Sequence, residues 1–386
     1  MKKFDENLEK ELIKIRHELH KNPEAAFEEI NTGKYICKKL EEFGYKVYTN
    51  IGKTGLVGEL KVGDSNRTIA LRSDIDCIKV KEETNLEYKS VNEKGMHACG
   101  HDGHMATMLG CAKILADRRN FNGTVYFVFQ PAEEPGYGAR AMIEDGLFEK
   151  FKIDEIYGFH NMPDLPEKTF HSKSGGIMAS EDNFKVEIHG KGGHASQPQV
   201  GVDPFVVASS LILAYQTIIS RNISPIDSAV ISCTEILSDG AHNVIPSNVT
   251  ILGDTRTFKK SVSSLIEKRM EELTRNICQS YGASYEFKYT HEFYPTVNDK
   301  SCYESIIKAA KAVLGEEKVK EDCNPIMVSE DFGLFSEKVP GCYSFLGGKK
   351  DNQEIISLHN NKFNYNDENL IVGAEIFAEL VKERLY

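Results

Sequence analysis

The sequence predicts an α/β protein interrupted by an α+β insert, and three observations carry that prediction. Apolar runs at Thr68–Asp76 and Thr124–Gln130 alternate with stretches of helical periodicity, as in a sheet covered by helices on both faces. From about residue 180 the order becomes β-α-β-β-α-β, which suits a four-stranded antiparallel sheet with two helices. From about Pro295 the α/β alternation returns. At 386 residues the chain has room for two domains. They are expected at 1–180 plus 295–386, and at 181–294.

Leu8, Leu12, Ile15 and Leu19 recur at three- and four-residue spacing, so a helix is expected over 5–21, stopped near Pro23. Within it, His17-Glu18-Leu19-His20 falls short of a helical zinc motif, which needs two residues between the Glu and the second His, and it reads as a surface or packing feature. A second helix over 32–43 precedes strands at 45–48, 55–61 and 67–72. Gly52-Lys53-Thr54 looks like the end of a phosphate-binding loop, but Val47 stands where that loop's first glycine belongs.

The strand ending in Asp74-Ile-Asp76 brings two acids to the carboxyl edge, where open α/β sheets build their sites. Next comes the densest stretch of the chain, Met96-His-Ala-Cys-Gly-His-Asp-Gly-His104, at the N-terminus of a helix expected over 105–117. It offers Cys99, Asp102 and the imidazoles of His97, His101 and His104, and Gly100 lets the backbone fold tightly between Cys99 and His101. The strand at 124–130 delivers Pro131-Ala132-Glu133-Glu134 to the same edge, and a strand at 155–159 ends in His160. Gly136–Ala141 loosely fits a dinucleotide fingerprint, but the two preceding acids would repel a pyrophosphate.

In the insert, strands are expected at 183–189, 229–237 and 248–255, and helices at 203–220 and 265–281. Beyond it come a helix at 301–314, a strand at 342–346, His359, and a last helix from Asp367.

The balance of 47 basic and 58 acidic residues, a net charge of −11, disfavours nucleic acid or an anionic membrane as partner. Nine cysteines without a regular framework suit the reduced thiols of a cytoplasmic protein, and the polar start lacks the apolar core of a signal peptide. The apolar stretch 205–219 is broken by Ser209, Ser210, Tyr215, Gln216 and Thr217, and reads as too short and too polar to span a bilayer.

A hydrolytic metal site needs ligands, an open position for water, and a base that is not itself a strong ligand. Cys99, His101, Glu134, His160 and His359 can supply the first, and Glu133 the last. No Gly-x-Ser-x-Gly elbow is present, and Cys99 as a nucleophile would leave two surplus histidines in its loop.

These motifs resemble the aminoacylase-like, metal-dependent amidohydrolases that include hippurate hydrolases, indoleacetyl-amino-acid hydrolases and N-acetyldiaminopimelate deacetylases. The resemblance runs from Arg16-His17-Glu18-Leu19-His20 through Asp74-Ile-Asp76, His97–His104, Gln130–Glu134, Gly192-Gly-His194, His242–Pro246 and Ser329–Phe332 to His359. It implies an aminopeptidase-like catalytic domain with a mixed sheet, and an inserted lid that makes the contact of a homodimer or higher homo-oligomer. It further implies two divalent ions held by Cys99, His101, Glu134, His160 and His359, with Cys99 as the bridge. Zinc is the first expectation, with manganese, nickel or cobalt as alternatives.

The resemblance makes Glu133 the base and gives His194 the task of polarising the scissile carbonyl, in its own or a neighbouring subunit's site. Asn243 is a candidate for the carbonyl and Arg256 for the substrate carboxylate, while Asp74, Asp76 and Asp102 orient the ligands. The expected reaction is hydrolysis of an N-acyl amino acid. A dipeptidase, an N-acetyldiaminopimelate-type deacetylase and a non-hydrolytic metal- or ligand-binding protein are the alternatives. In one departure, Cys77-Ile78-Lys79-Val80 stands where relatives usually carry Ala-Leu-Pro-Ile, which bears on substrate selection or loop shape.

Overall fold

Contacts divide the chain into two units in a computed structural model that describes residues 4–386. The first takes the chain up to Ile177, then Val297–Asn324 and Asp331–Tyr386; the second takes Met178–Thr296 and Pro325–Glu330. Pro325–Glu330 therefore belongs with the second unit, where the Ala179 amide donates to the Ile326 carbonyl at 3.2 Å. The expectation of a single insert at 181–294 did not include it.

The first unit begins with helices α1 (Glu6–Lys21) and α2 (Ile30–Glu42). Asp5 caps α1 by accepting from the amides of Asn7 and Leu8, and Leu8, Leu12, Ile15 and Leu19 form its buried face. A hairpin of β1 (Lys46–Ile51) and β2 (Gly55–Val62) leads into β3 (Thr68–Asp74), and α3 (His101–Arg118), β4 (Gly123–Gln130) and β5 (Ile156–Pro166) follow. The eight-stranded sheet runs β1-β2-β4-β3-β5, then Gly341–Lys349, Phe170–His171 and Val319–Lys320. It is mixed: β3 lies parallel to both β4 and β5, whereas β2 is antiparallel to β4.

Register explains how the sheet gathers a site. Asp74 pairs with Gln130, and Ala70 with Ile156; continuing that second register four residues puts Asp74 level with His160. Three neighbouring strands thus deliver their polar residues at one height. The strand expected to end at Phe159 continues through His160 to Pro166, because Gly341–Lys349 extends alongside and pairs Phe345 with His160.

Helix α3 also differs from expectation, starting four residues early, at His101. Gly100 takes φ +94, a left-handed conformation, and its carbonyl accepts from the amides of Gly103 and His104. A Cβ at Gly100 would stand 2.4 Å from Asn161 Oδ1, so no larger residue fits without displacement.

The second unit orders its strands Ala229–Ser238, Asn248–Thr257, Glu181–His189 and Ser284–Phe293, all antiparallel. Helices Pro204–Asn222 and Lys260–Tyr281 share a core with this sheet, in which Phe184, Val186 and Ile188 meet Leu211, Tyr215, Ile218, Ile266 and Met270. At 19 residues, Pro204–Asn222 is long and apolar enough to cross a membrane, which corrects the expectation that this stretch is too short. Its Val207–Leu211–Tyr215–Ile218 face is buried in that core. All nine cysteines are unpaired.

Candidate metal centre

Cys99 lies at the meeting point of two groups of donors in the first unit. Its Sγ is 3.3 Å from His160 Nε2 and 3.3 Å from His359 Nε2. One group is Cys99, His101 and His160; the other is Cys99, Glu134 and His359; within each, the donor atoms lie within 4.8 Å of one another. The five predicted ligands are therefore brought together by the loop before α3 and its first residue, the turn after β4, β5, and the segment before the last helix.

Two of the three imidazoles are oriented by a hydrogen bond from the far nitrogen, as is usual for ligating histidines. His101 Nδ1 donates to the Asp76 carbonyl at 2.9 Å, and His160 Nδ1 donates to the Asn161 carbonyl at 2.8 Å. That leaves Nε2 of both rings for the donor cluster. His359, at φ +64, is tied through its amide to the Ala98 carbonyl at 2.9 Å, which brings the end of the chain back to the first cluster. Its Nε2 is 3.4 Å from Glu134 Oε2.

The electrostatics suit cations. Burial, followed by the charges of Glu134, Glu133 and Asp74, pushes the Cys99 thiol well above its ordinary range. Burial also pushes the Glu134 carboxyl up, to about 7, against the pull of His101. Burial, reinforced by neighbouring His104, holds His160 well below the usual histidine range, so its imidazole is neutral, the ligating form. His101 Nε2, Glu134 Oε1 and Asp76 Oδ1 are buried without a hydrogen-bond partner among the described residues. His101 moves the other way: burial lowers it, but Asp74, Asp76 and Glu134 outweigh that and push it up to about 10, a concentration of negative charge that a cation would meet as well. Unpartnered buried atoms, a thiol among carboxylates and a neutral His160 together fit divalent ions that accept sulfur, nitrogen and oxygen ligands.

Glu133 Oε2 stands 3.9 Å from His101 Nε2, and Glu133 is buried beside the donors. Asp76 Oδ2 accepts the Glu134 amide at 3.1 Å, and Asp74 Oδ1 lies 2.7 Å from His104 Nδ1. Asp102 turns away from the donors toward α1: its Oδ2 meets Arg16 Nη1 at 3.0 Å and His20 Nδ1 at 2.8 Å. The His17–His20 pair is thus a packing feature, with His20 buried. His97 lies buried outside both donor groups, and burial pushes its imidazole down to about 4.

Sequence reasoning did not find the support beneath the site. Arg72 donates to Gln130 Oε1 at 2.7 Å, Asp74 Oδ2 at 2.8 Å and Asp331 Oδ1 at 3.0 Å, and all four side chains are buried. A polar residue in an apolar strand such as Thr68–Asp74 was the available signal, since a buried arginine demands partners.

The remaining predicted residues lie in the second unit. His194 is exposed, and the Ser196 amide and hydroxyl both approach its Nδ1, at 3.1 and 2.7 Å. This leaves the ring proton on Nε2. Asn243 is nearby, its carbonyl accepting the Ala195 amide at 3.0 Å. Arg256 pairs with Asp254 and Glu181, each at 2.8 Å, and donates to the Met327 carbonyl at 3.0 Å.

Residues 70–383 match the model of peptidase family M20/M25/M40. The chain is 43% identical to a hippurate hydrolase of Campylobacter jejuni, covering 98% of both proteins. It is 38% identical to an N-acetylcysteine deacetylase of Bacillus subtilis, over 96% of this chain and 95% of that protein. Among solved structures, a Bacillus subtilis protein described as a dinuclear metal binding peptidase of the M20 family superposes with a TM-score of 0.86, at 34% identity and 99% coverage of both chains. A protein of methicillin-resistant Staphylococcus aureus, described as an aminohydrolase, superposes with a TM-score of 0.92 at 33% identity, covering 98% of this chain and 97% of that one.

Proposed function

The chain belongs to peptidase family M20/M25/M40, and from that premise we propose that it is a metal-dependent amidohydrolase of N-acyl amino acids, releasing a carboxylic acid and a free amino acid. The observation that carries the proposal is the pair of donor groups sharing Cys99, with Glu133 alongside. Names of relatives point to the substrate class: one is a hippurate hydrolase, another an N-acetylcysteine deacetylase.

Cys99, His101, Glu134, His160 and His359 would hold two divalent ions, with zinc favoured by the thiolate. When bound, the ions supply Lewis acidity toward the amide carbonyl and lower the pKa of water. Glu133 takes a proton as water adds to the carbonyl carbon and returns it to the departing amine nitrogen. His194 donates from Nε2 to the carbonyl oxygen as negative charge develops there, a role supported by the hydrogen bonds that Ser196 makes to its Nδ1. Asn243 assists at the carbonyl and Arg256 takes the substrate carboxylate.

Exposed Phe205, Val206 and Leu213 on the helix of the second unit support a homo-oligomer formed through that unit. The unpaired cysteines support a cytoplasmic location.

Glu133→Ala tests the mechanism. It should keep its metal and lose turnover by about 10²–10⁴-fold, the range for a general base; near-normal turnover would overturn the assignment.

A further inference from the structure

The turn that carries Glu133 is held by a carboxylate outside the donor cluster. Glu29, the residue before α2, is fully buried. Its Oε1 accepts the Ala132 amide at 2.9 Å, and its Oε2 accepts the Thr54 hydroxyl at 2.5 Å. Thr54 closes the β1–β2 hairpin, so the Gly52-Lys53-Thr54 stretch serves as a turn that anchors Glu29.

Ala132 has φ +48, a left-handed conformation that a residue with a Cβ adopts only when its surroundings impose it. On the far side of Glu133, the Glu134 amide is held by Asp76 Oδ2 at 3.1 Å. The residue at the centre of this turn is therefore bracketed by two amides, each bound to a carboxylate from a different part of the chain. Close packing completes the frame. A Cβ at Gly138 would stand 1.5 Å from the Pro131 carbonyl oxygen, and one at Gly55 would stand 2.7 Å from Pro131 Cδ.

We propose that Glu29 is a positioning residue for Glu133: by gripping the Ala132 amide, it imposes the strained backbone that aims the Glu133 carboxylate at the reacting water. The proposal rests on the reading of Glu133 as the base. What the grip requires is an acceptor of the right shape, and an isosteric amide supplies one, with Thr54 Oγ1 turning to accept from the new NH₂ group.

The test compares Glu29→Ala, Glu29→Gln and Thr54→Val in the metal-loaded protein with an N-benzoyl or N-acetyl amino acid as substrate. Glu29→Ala should lower kcat by about 10- to 100-fold, the cost of a misplaced catalytic group. KM should stay within about threefold, because uniform binding is untouched, and metal content should not change. Hydrogen exchange at the Ala132 amide should accelerate in Glu29→Ala and stay slow in Glu29→Gln, which should also restore most of kcat.

Adding Ala132→Gly to Glu29→Ala should recover part of kcat, because glycine takes positive φ without strain. If Glu29→Ala fails to fold, Thr54→Val tests the same grip, with a smaller loss of kcat at unchanged KM. Wild-type kcat in Glu29→Ala, or in Thr54→Val where that variant stands in, would overturn the proposal. So would equal losses in the Ala and Gln variants of Glu29, or lost kcat with unaltered exchange at Ala132. An active Glu133→Ala would instead remove the base itself, whereas an inactive Glu133→Ala beside a fully active Glu29→Ala would remove only the positioning role.

Discussion

His359 Nε2 lies 3.3 Å from Cys99 Sγ, joining residues 260 positions apart in the chain. Because Cys99 belongs to both donor groups and His359 to one, their substitutions should separate. Cys99→Ala should abolish tight binding of both ions, while His359→Ala should retain about one equivalent, since the Cys99, His101 and His160 group keeps all its donors. Metal analysis of protein purified without chelator reads the difference. Equal stoichiometry in the two variants would contradict a shared thiolate.

Gly100→Ala should be costly for a local reason. The position has φ +94, and the added carbon would meet Asn161 Oδ1 at 2.4 Å, in a turn that sets Cys99 against His101. A loss of about 1–3 kcal/mol is expected from the backbone strain alone, and metal affinity should fall with it. Thermal unfolding with and without metal measures both. Unchanged stability would show that the left-handed turn is not required.

The pairing of His20 with Asp102 predicts a pH dependence of stability. Burial by itself lowers the His20 pKa, but the hydrogen bond and charge of Asp102, with Glu82 beyond, reverse this and push it up to about 9. A group raised on folding contributes fully below its unfolded pKa of about 6.5, and the contribution is lost as pH rises through about 9. The shift corresponds to about 3 kcal/mol. The stability difference between the parent and His20→Gln should therefore shrink as pH is raised from 6 to 9.5, measured by denaturant unfolding. A difference that stays level across that range would rule out a charged His20.

Much of this architecture was legible because it depends on local pattern. The apolar runs of β3 and β4 could only be buried strands, and acids at their ends had to share a sheet edge. Cys99, His101, Glu133, Glu134, His160 and His359 were all recognisable as residue types suited to one centre. What local pattern cannot carry is pairing across the chain. The grip of Glu29 on Ala132 spans 103 positions, and that of Arg72 on Asp331 spans 259. The start of α3 was misplaced because its first turn, His101–His104, is written in polar residues that periodicity reads as loop. The end of β5 was misplaced because a neighbouring strand, not its own composition, prolongs it.

Hydrolysis of N-acyl amino acids with metal bound at the Cys99 centre can be read by incubating metal-reconstituted protein with a panel of N-acetyl and N-benzoyl amino acids and dipeptides, and quantifying the free amino acid released. Release from N-acyl amino acids is expected, lost on chelation and restored by adding back the divalent ion. Silence across the panel with both ions bound would contradict it and favour a protein that binds metal or ligand without hydrolysis.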